Sequence, residues 1–186
     1  MNLFIHLDYC GIIYFKPEKE VELMDNIAGA VMKKMIEYFD GDVRRINHAI
    51  KVYGFAKSIG ELESVAGDEL TILETAAILH DIGIKESERK YSSSAGKYQE
   101  IEGPPVARCL LQGFGLSDEF VDRVCYLIGN HHSYGKIDGI DFQILVEADF
   151  LVNIYEDDAK PEHIESIERK YFKTAAGSAF LRSMYL

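Results

Sequence analysis

The sequence predicts an all-α fold, a single-domain helical bundle, and three observations carry that expectation. From Pro17 onward, apolar residues recur every three to four positions rather than every second one. Helix punctuation then falls between the periodic segments: Asp40-Gly41, Gly113 with Gly115, Ser117-Asp118-Glu119 and Pro161. No alternating run, solenoid period, heptad or low-complexity tract competes with this pattern.

The elements follow in order. Residues 1–20 form an N-terminal arm, apolar over the first fifteen residues but with no Lys or Arg before Lys16 and interrupted by His6 and Asp8. That is neither a signal peptide nor a membrane span. A first helix over 18–39 carries Val21, Met24, Ile27, Ala28, Val31, Met35 and Ile36. A second begins near Asp42, with Val43, Ile46, Ile50 and Tyr53 on one stripe and His48, Val52, Phe55 and Ile59 on another. Gly60 and Gly67 bracket a break, and Asp68 caps the helix that runs to His80 through Leu70, Leu73 and Ala77. Residues 85–97, rich in Ser, Glu and Lys, read as a solvated loop or a lid. Gly103-Pro104-Pro105 opens a helix through Leu111, because proline suits a first turn. The next helix shows Val121, Val124 and Ile128 on one face, then His131 or His132. After a turn at 135–139, Asp141 starts a helix to about Ile154 with Leu145, Asp149 and Val152 aligned. Helices from Pro161 and from Thr174 complete a domain of seven or so helices spanning 21–186.

Composition narrows the functional classes. The chain has 186 residues, 47% hydrophobic and 27% charged, as expected of one globular domain with a full core. A formal charge of −11 argues against a nucleic-acid surface but leaves room for a small phosphate ester held by a cation. The three cysteines, Cys10, Cys109 and Cys125, form no CxxC pair or disulfide framework, and a reducing cytoplasm is the expected location. No P-loop, Rossmann fingerprint or GxSxG elbow is present.

Polar residues that interrupt apolar faces point to chemistry. His48 lies between Ile46 and Val52, His80-Asp81 ends the third helix, and Asp149 stands where Leu145 and Val152 predict core. A lone histidine on such a face is more often a hydrogen-bonded core residue than a ligand. A lone buried carboxylate, however, has to be paired, protonated or bound to a cation. Two His and two Asp on buried-side positions of one small domain form a mixed N/O set suited to a catalytic divalent ion.

The order His48, then His80-Asp81-Ile82-Gly83, then Asp149 resembles the HD-domain metal-dependent phosphohydrolase superfamily. Residues 45–52, 77–83 and 147–151 carry the likeness, and the core motifs fall within 25–155. The resemblance implies an HD-type helical bundle in which His48, His80, Asp81 and Asp149 bind one divalent metal. Mn, Fe, Co, Ni, Zn and Mg are not distinguished by the sequence. Such an ion lowers the pKa of a bound water and polarises a phosphoryl oxygen, and Asp81 can also orient that water.

A subset of the superfamily binds two metals through two further histidines. His131 or His132 matches one of them, while 98–103 has no histidine, leaving Glu100 or Glu102 as substitutes for a second metal or for substrate. Arg44, Arg45 and Lys51 are candidates for binding phosphate, Lys85 for a catalytic cation, and Glu86 and Glu88 for general acids. No GYP motif follows, and Ile84 stands where the cyclic-dinucleotide branch has lysine. The implied activity is hydrolysis of a small phosphorylated substrate, nucleotides included, by a metal-activated water. A di-iron oxygenase on the same scaffold and a non-catalytic nucleotide-binding sensor are the alternatives.

Overall fold

The computed structural model describes residues 27–186, and the expectations for the 1–20 arm and for the start of the first helix lie outside the described residues. Nine α-helices occur there, with no strand among the described residues: α1 (Ile27–Phe39), α2 (Val43–Leu62), α3 (Gly67–Leu79), α4 (Ile84–Tyr91), α5 (Gly96–Leu111), α6 (Asp118–Ile128), α7 (Ile140–Glu156), α8 (Pro161–Tyr171) and α9 (Ala175–Tyr185). No helix of the described residues is long and apolar enough to cross a membrane.

The centre of the bundle is α3, which packs against α1, α2, α6 and α7. Every residue from Leu73 to Leu79 is buried, so this helix has no solvent face over its last two turns. The second central helix, α7, buries Phe142, Ile144, Leu145, Leu151 and Val152, and α2 packs on both. These three elements supply His48, His80 and Asp149, so the polar residues of interest stand on the most constrained part of the fold.

Several predicted ends are realised by caps. The Asp42 side chain accepts the Arg45 amide at 3.2 Å, and Ser117 accepts that of Phe120 at 3.2 Å. Thr174 accepts Gly177 N–H at 2.9 Å, and Pro161 opens α8. Asp68 differs from expectation: Ala66 is the N-cap of α3, and Asp68 sits in the first turn with Glu69, where a negative charge suits the helix dipole.

Two larger corrections concern 84–111. The polar stretch read as a loop or lid contains α4, and only a four-residue connection, 92–95, separates it from α5. Only Ile84 and Ser87 of α4 are buried. Its helicity is supported by charge pairs one turn apart, Glu86 with Arg89 at 2.7 Å and with Lys90 at 3.9 Å. Apolar periodicity therefore has almost nothing to detect here. Likewise α5 begins at Gly96, seven residues before the expected Gly103, and continues through Pro104 and Pro105. Two helical amide bonds are forfeited there. Burial of Gln99, Glu102, Ala107, Leu110 and Leu111 on its inner face outweighs that loss.

The glycine that follows His80-Asp81-Ile82 has a steric reason. Gly83 has an ordinary helical backbone, φ −73°, so left-handed freedom is not what it supplies. A Cβ there would lie 2.5 Å from Gln99 O and 2.6 Å from Gly103 N. The turn after His80-Asp81 therefore presses directly on the backbone of α5, and only hydrogen fits between them.

Candidate metal centre

His48 projects from α2, His80 is the C-cap of α3, Asp81 follows it, Asp149 comes from the middle of α7, and His131 and His132 lie in the turn after α6. The structure gathers all six. From His48 Nε2 the distance is 3.1 Å to His80 Nε2, 3.3 Å to Asp149 Oδ1 and 3.7 Å to Asp81 Oδ2. His80 Nε2 lies 3.6 Å from Asp149 Oδ1 and 3.7 Å from Asp81 Oδ2. On the other side of Asp81, Oδ1 is 3.6 Å from His131 Nε2. Asp81, His131 and His132 form a second group whose ligating atoms all lie within 4.8 Å of one another.

Ring orientation gives this cluster its chemistry. His80 Nδ1 donates to Ala77 O at 2.8 Å, and His131 Nδ1 donates to Ile128 O at 2.7 Å. Each carbonyl lies three residues back in the chain, so a local bond fixes the ring and directs Nε2 inward. His131 Nε2 and His132 Nε2 are buried without a hydrogen-bond partner. Gly96 makes room for the His132 ring, whose Cδ2 would lie 2.4 Å from a Cβ at that position.

Electrostatics agree with a site built around positive charge. Burial disfavours charge on His48, yet Asp149, Asp81 and Glu156 outweigh it and push its pKa up to about 9. His80 is likewise raised: Asp81 and Asp149 overcome its burial. Asp81 falls to about 2 despite its burial, held down by His80 and His131, and Asp149 lies well below the carboxylate range because of His48 and His80. Burial, reinforced by His131, takes His132 down to about 4. Without a cation these carboxylates favour the protonated forms of His48 and His80 over the neutral ones.

The residues present fit a cation in geometry and kind. Donor atoms about 2.1 Å from a divalent ion stand roughly 3.0–3.4 Å from each other, and the His48, His80 and Asp149 atoms already lie at 3.1–3.6 Å. Imidazole nitrogen with carboxylate oxygen suits Zn, Mn, Fe, Co or Ni. Those three residues and Asp81 could hold one ion. Asp81, His131 and His132 could hold another.

Other expected residues fall into different places. Arg44 and Arg45 line a cleft of about 280 Å³ that opens onto His48 and Asp81. Arg45 is committed to Asp42 at 2.9 Å and Glu88 at 2.6 Å, while Arg44 has no ion pair among the described residues. Lys51 pairs with Glu156. Glu100 accepts His132 N–H and Ser133 O–H, each at 3.1 Å, and so holds the histidine turn in place. Glu102 is buried and engaged by Lys90 and Tyr91. Lys85 lies elsewhere, in a cleft between α1, α4 and α5, where it donates to Tyr38 O at 2.9 Å. Glu86 lines that same cleft.

Sequence reasoning missed Gln99, Asn153 and Glu156, all of which line the cleft beside His48. Gln99 Nε2 donates to Ser94 O at 2.7 Å, while its Oε1 is buried and unpartnered. Asn153 and Glu156 had a detectable signal: they follow Asp149 by four and seven residues, a polar stripe on one face of α7.

An all-helical domain whose central helices carry His48, His80-Asp81 and Asp149 into one cluster defines a class, and the comparisons agree on it. The HD domain matches residues 45–175, well over half of the sequence, and this chain belongs to the HD domain family. It is also similar to a crystal structure of a predicted HD superfamily hydrolase from an uncultured Thermotogales bacterium. That match has a TM-score of 0.63 at 23% identity and covers 90% of this chain and 91% of the other. At that identity the likeness establishes the fold. No curated protein matches the sequence.

Proposed function

We propose that this chain is a metal-dependent phosphohydrolase acting on a small phosphate ester. The observation that carries the proposal is the convergence of imidazole Nε2 atoms and two carboxylates at ligand-to-ligand spacing beside an open cleft. A divalent cation held there would acidify water and polarise a phosphoryl oxygen. The chain's own contribution is to place the ligands, to keep Asp81 ionised, and to offer the Arg44 guanidinium at the cleft to the far side of a phosphate. Asp81, shared by both ligand groups, is the residue best placed to orient a water. Lys85 has no part in this reading, because it faces a different cleft.

The second group, Asp81 with His131 and His132, supports room for two cations rather than one. Gln99 stands in the stretch where a further histidine was sought, and it has an amide oxygen to offer instead.

The direct test is to reconstitute the protein with Mn²⁺, Co²⁺ or Zn²⁺ and assay phosphate release from nucleoside monophosphates, sugar phosphates and cyclic nucleotides. Turnover of at least one class is expected. No turnover at full metal occupancy, with tight nucleotide binding, would replace the proposal with a sensor. Two irons and an oxygen-sensitive spectrum would replace it with an oxygenase.

Metal affinity should also depend on pH with a definite sign. In the metal-free protein His48 keeps its proton up to about 9 because Asp149, Asp81 and Glu156 face it, with Lys51 behind Glu156. A cation must displace that proton, so apparent affinity rises with pH towards that value, about tenfold per unit for each proton displaced. Chelator competition with Mn²⁺ at pH 6.5, 7.5 and 8.5 reads the slope. A flat profile would contradict the assignment of His48 as a ligand.

A further inference from the structure

Three histidines point Nε2 into the cluster, and the partner of the opposite ring nitrogen differs among them. His80 and His131 each follow a helix end, where a carbonyl three residues back is available to Nδ1–H. His48 has no such option. It lies inside α2, whose carbonyls are occupied by the helix itself. Its Nδ1 is instead 3.1 Å from Glu156 Oε2, a residue 108 positions away in sequence.

We infer that Glu156 is a positioning residue: it fixes the ring and tautomer of His48 so that the Nε2 lone pair faces the cluster. This role rests on the metal reading above. A carboxylate can only accept, so Nδ1 carries the hydrogen and Nε2 is left as the donor atom for a cation. An acceptor at the opposite ring nitrogen also raises the basicity of the imidazole as a ligand. Lys51 engages the other oxygen of Glu156, which neutralises the carboxylate and holds it in register with His48. Each oxygen of Glu156 thus has a partner, Oε2 facing His48 Nδ1 and Oε1 facing Lys51.

The position of Glu156 supports a functional reason for its presence. It is the last residue of α7, where the negative end of the helix dipole disfavours a carboxylate. A side chain chosen for the stability of that helix end would be basic. Glu156 is also one heptad from Asp149, with Asn153 between them donating to Asp149 Oδ1 at 2.9 Å. One face of α7 thus supplies a ligand candidate, the residue that orients it, and the residue that orients His48.

The test uses the full chain in four forms: wild type, Glu156→Ala, Glu156→Gln and Asp149→Asn. Co²⁺ affinity is read by chelator competition, coordination by the visible spectrum of the bound ion, and folding by thermal melts. Glu156→Ala should weaken Co²⁺ binding about 10- to 100-fold, as loss of a carboxylate partner of a ligating histidine does. Glu156→Gln should restore most of the affinity and the wild-type spectrum, because its amide oxygen still accepts from Nδ1. A merely structural ion pair with Lys51 would instead lower the melting temperature in both variants and leave their affinities equal. Wild-type affinity in Glu156→Ala, or the same loss in both variants, would overturn the positioning role while Asp149→Asn still reports on the metal centre. If the wild type and Asp149→Asn alike take up no Co²⁺, the metal centre itself falls, and the role of Glu156 with it.

Discussion

Asp149→Ala is expected to lower divalent-metal affinity by more than about 100-fold, roughly 2.7 kcal/mol, and to abolish phosphate release. The magnitude follows from position. Asp149 Oδ1 lies 3.3 Å from His48 Nε2 and 3.6 Å from His80 Nε2, closer to both rings than Asp81 Oδ2 at 3.7 Å from each, and its loss removes one of the two carboxylates of the centre. Asn153 Nδ2 donates to that oxygen at 2.9 Å and holds it in register with the two rings. The fold should tolerate the change, because Asp149 binds its neighbours through the cluster, while Leu145, Leu151 and Val152 hold α7 in the core. Metal content after reconstitution with Mn²⁺, measured beside a thermal melt, checks both halves. Full metal occupancy in the variant would remove Asp149 from the centre. A collapsed melting transition would show instead that its main work is structural.

Glu147→Ala is expected to do the reverse: to cost about 3–5 kcal/mol of stability while sparing metal affinity in the molecules that remain folded. Glu147 is fully buried, two residues before Asp149 on the same helix. Its carboxylate accepts from Gln143 Nε2 at 2.8 Å, Lys173 N at 2.6 Å, Thr174 N at 2.9 Å and the Thr174 hydroxyl. These bonds fasten the connection between α8 and α9 to α7. Gly177 completes the fit, since a Cβ there would lie 2.0 Å from Glu147 Oε2. Alanine at 147 would strand the Lys173 amide and the Thr174 amide and hydroxyl, the latter two in buried surroundings, at about 1–3 kcal/mol for each one that water cannot reach, while Gln143 Nε2 keeps Tyr171 O. For a chain of this size the melting temperature should fall by about 10 °C. A drop under about 1 kcal/mol would mean that water replaces the carboxylate. Two acids two residues apart on α7 thus separate cleanly: one is read in metal content, the other in stability.

Much of this was legible in residue order because its causes are local. Helical periodicity and caps place α2, α6, α7, α8 and α9 near their observed bounds, and His48 and Asp149 stand out because each breaks an apolar stripe. The elements that escaped have non-local causes. In α4 charge pairs replace apolar contacts, and α5 runs through two prolines because its inner face is buried against α4 and α6. Glu156 escaped for a related reason. Its spacing from Asp149 was visible, but its partner is 108 residues distant.

The residue order alone determined the all-helical class, the identity of the polar intruders and the expectation that they answer to a cation, because an isolated buried carboxylate is too costly to keep without cause. Only the tertiary structure decided which other groups join them. It brought His131 and His132 to Asp81, sent Lys85 to a different cleft, turned Glu100 into a brace for the histidine turn, and set Glu156 behind His48. The physical reason is range. Periodicity records what one helix does with its own faces, whereas a site is made where helices far apart in sequence cross, and that crossing is settled by packing of the whole core.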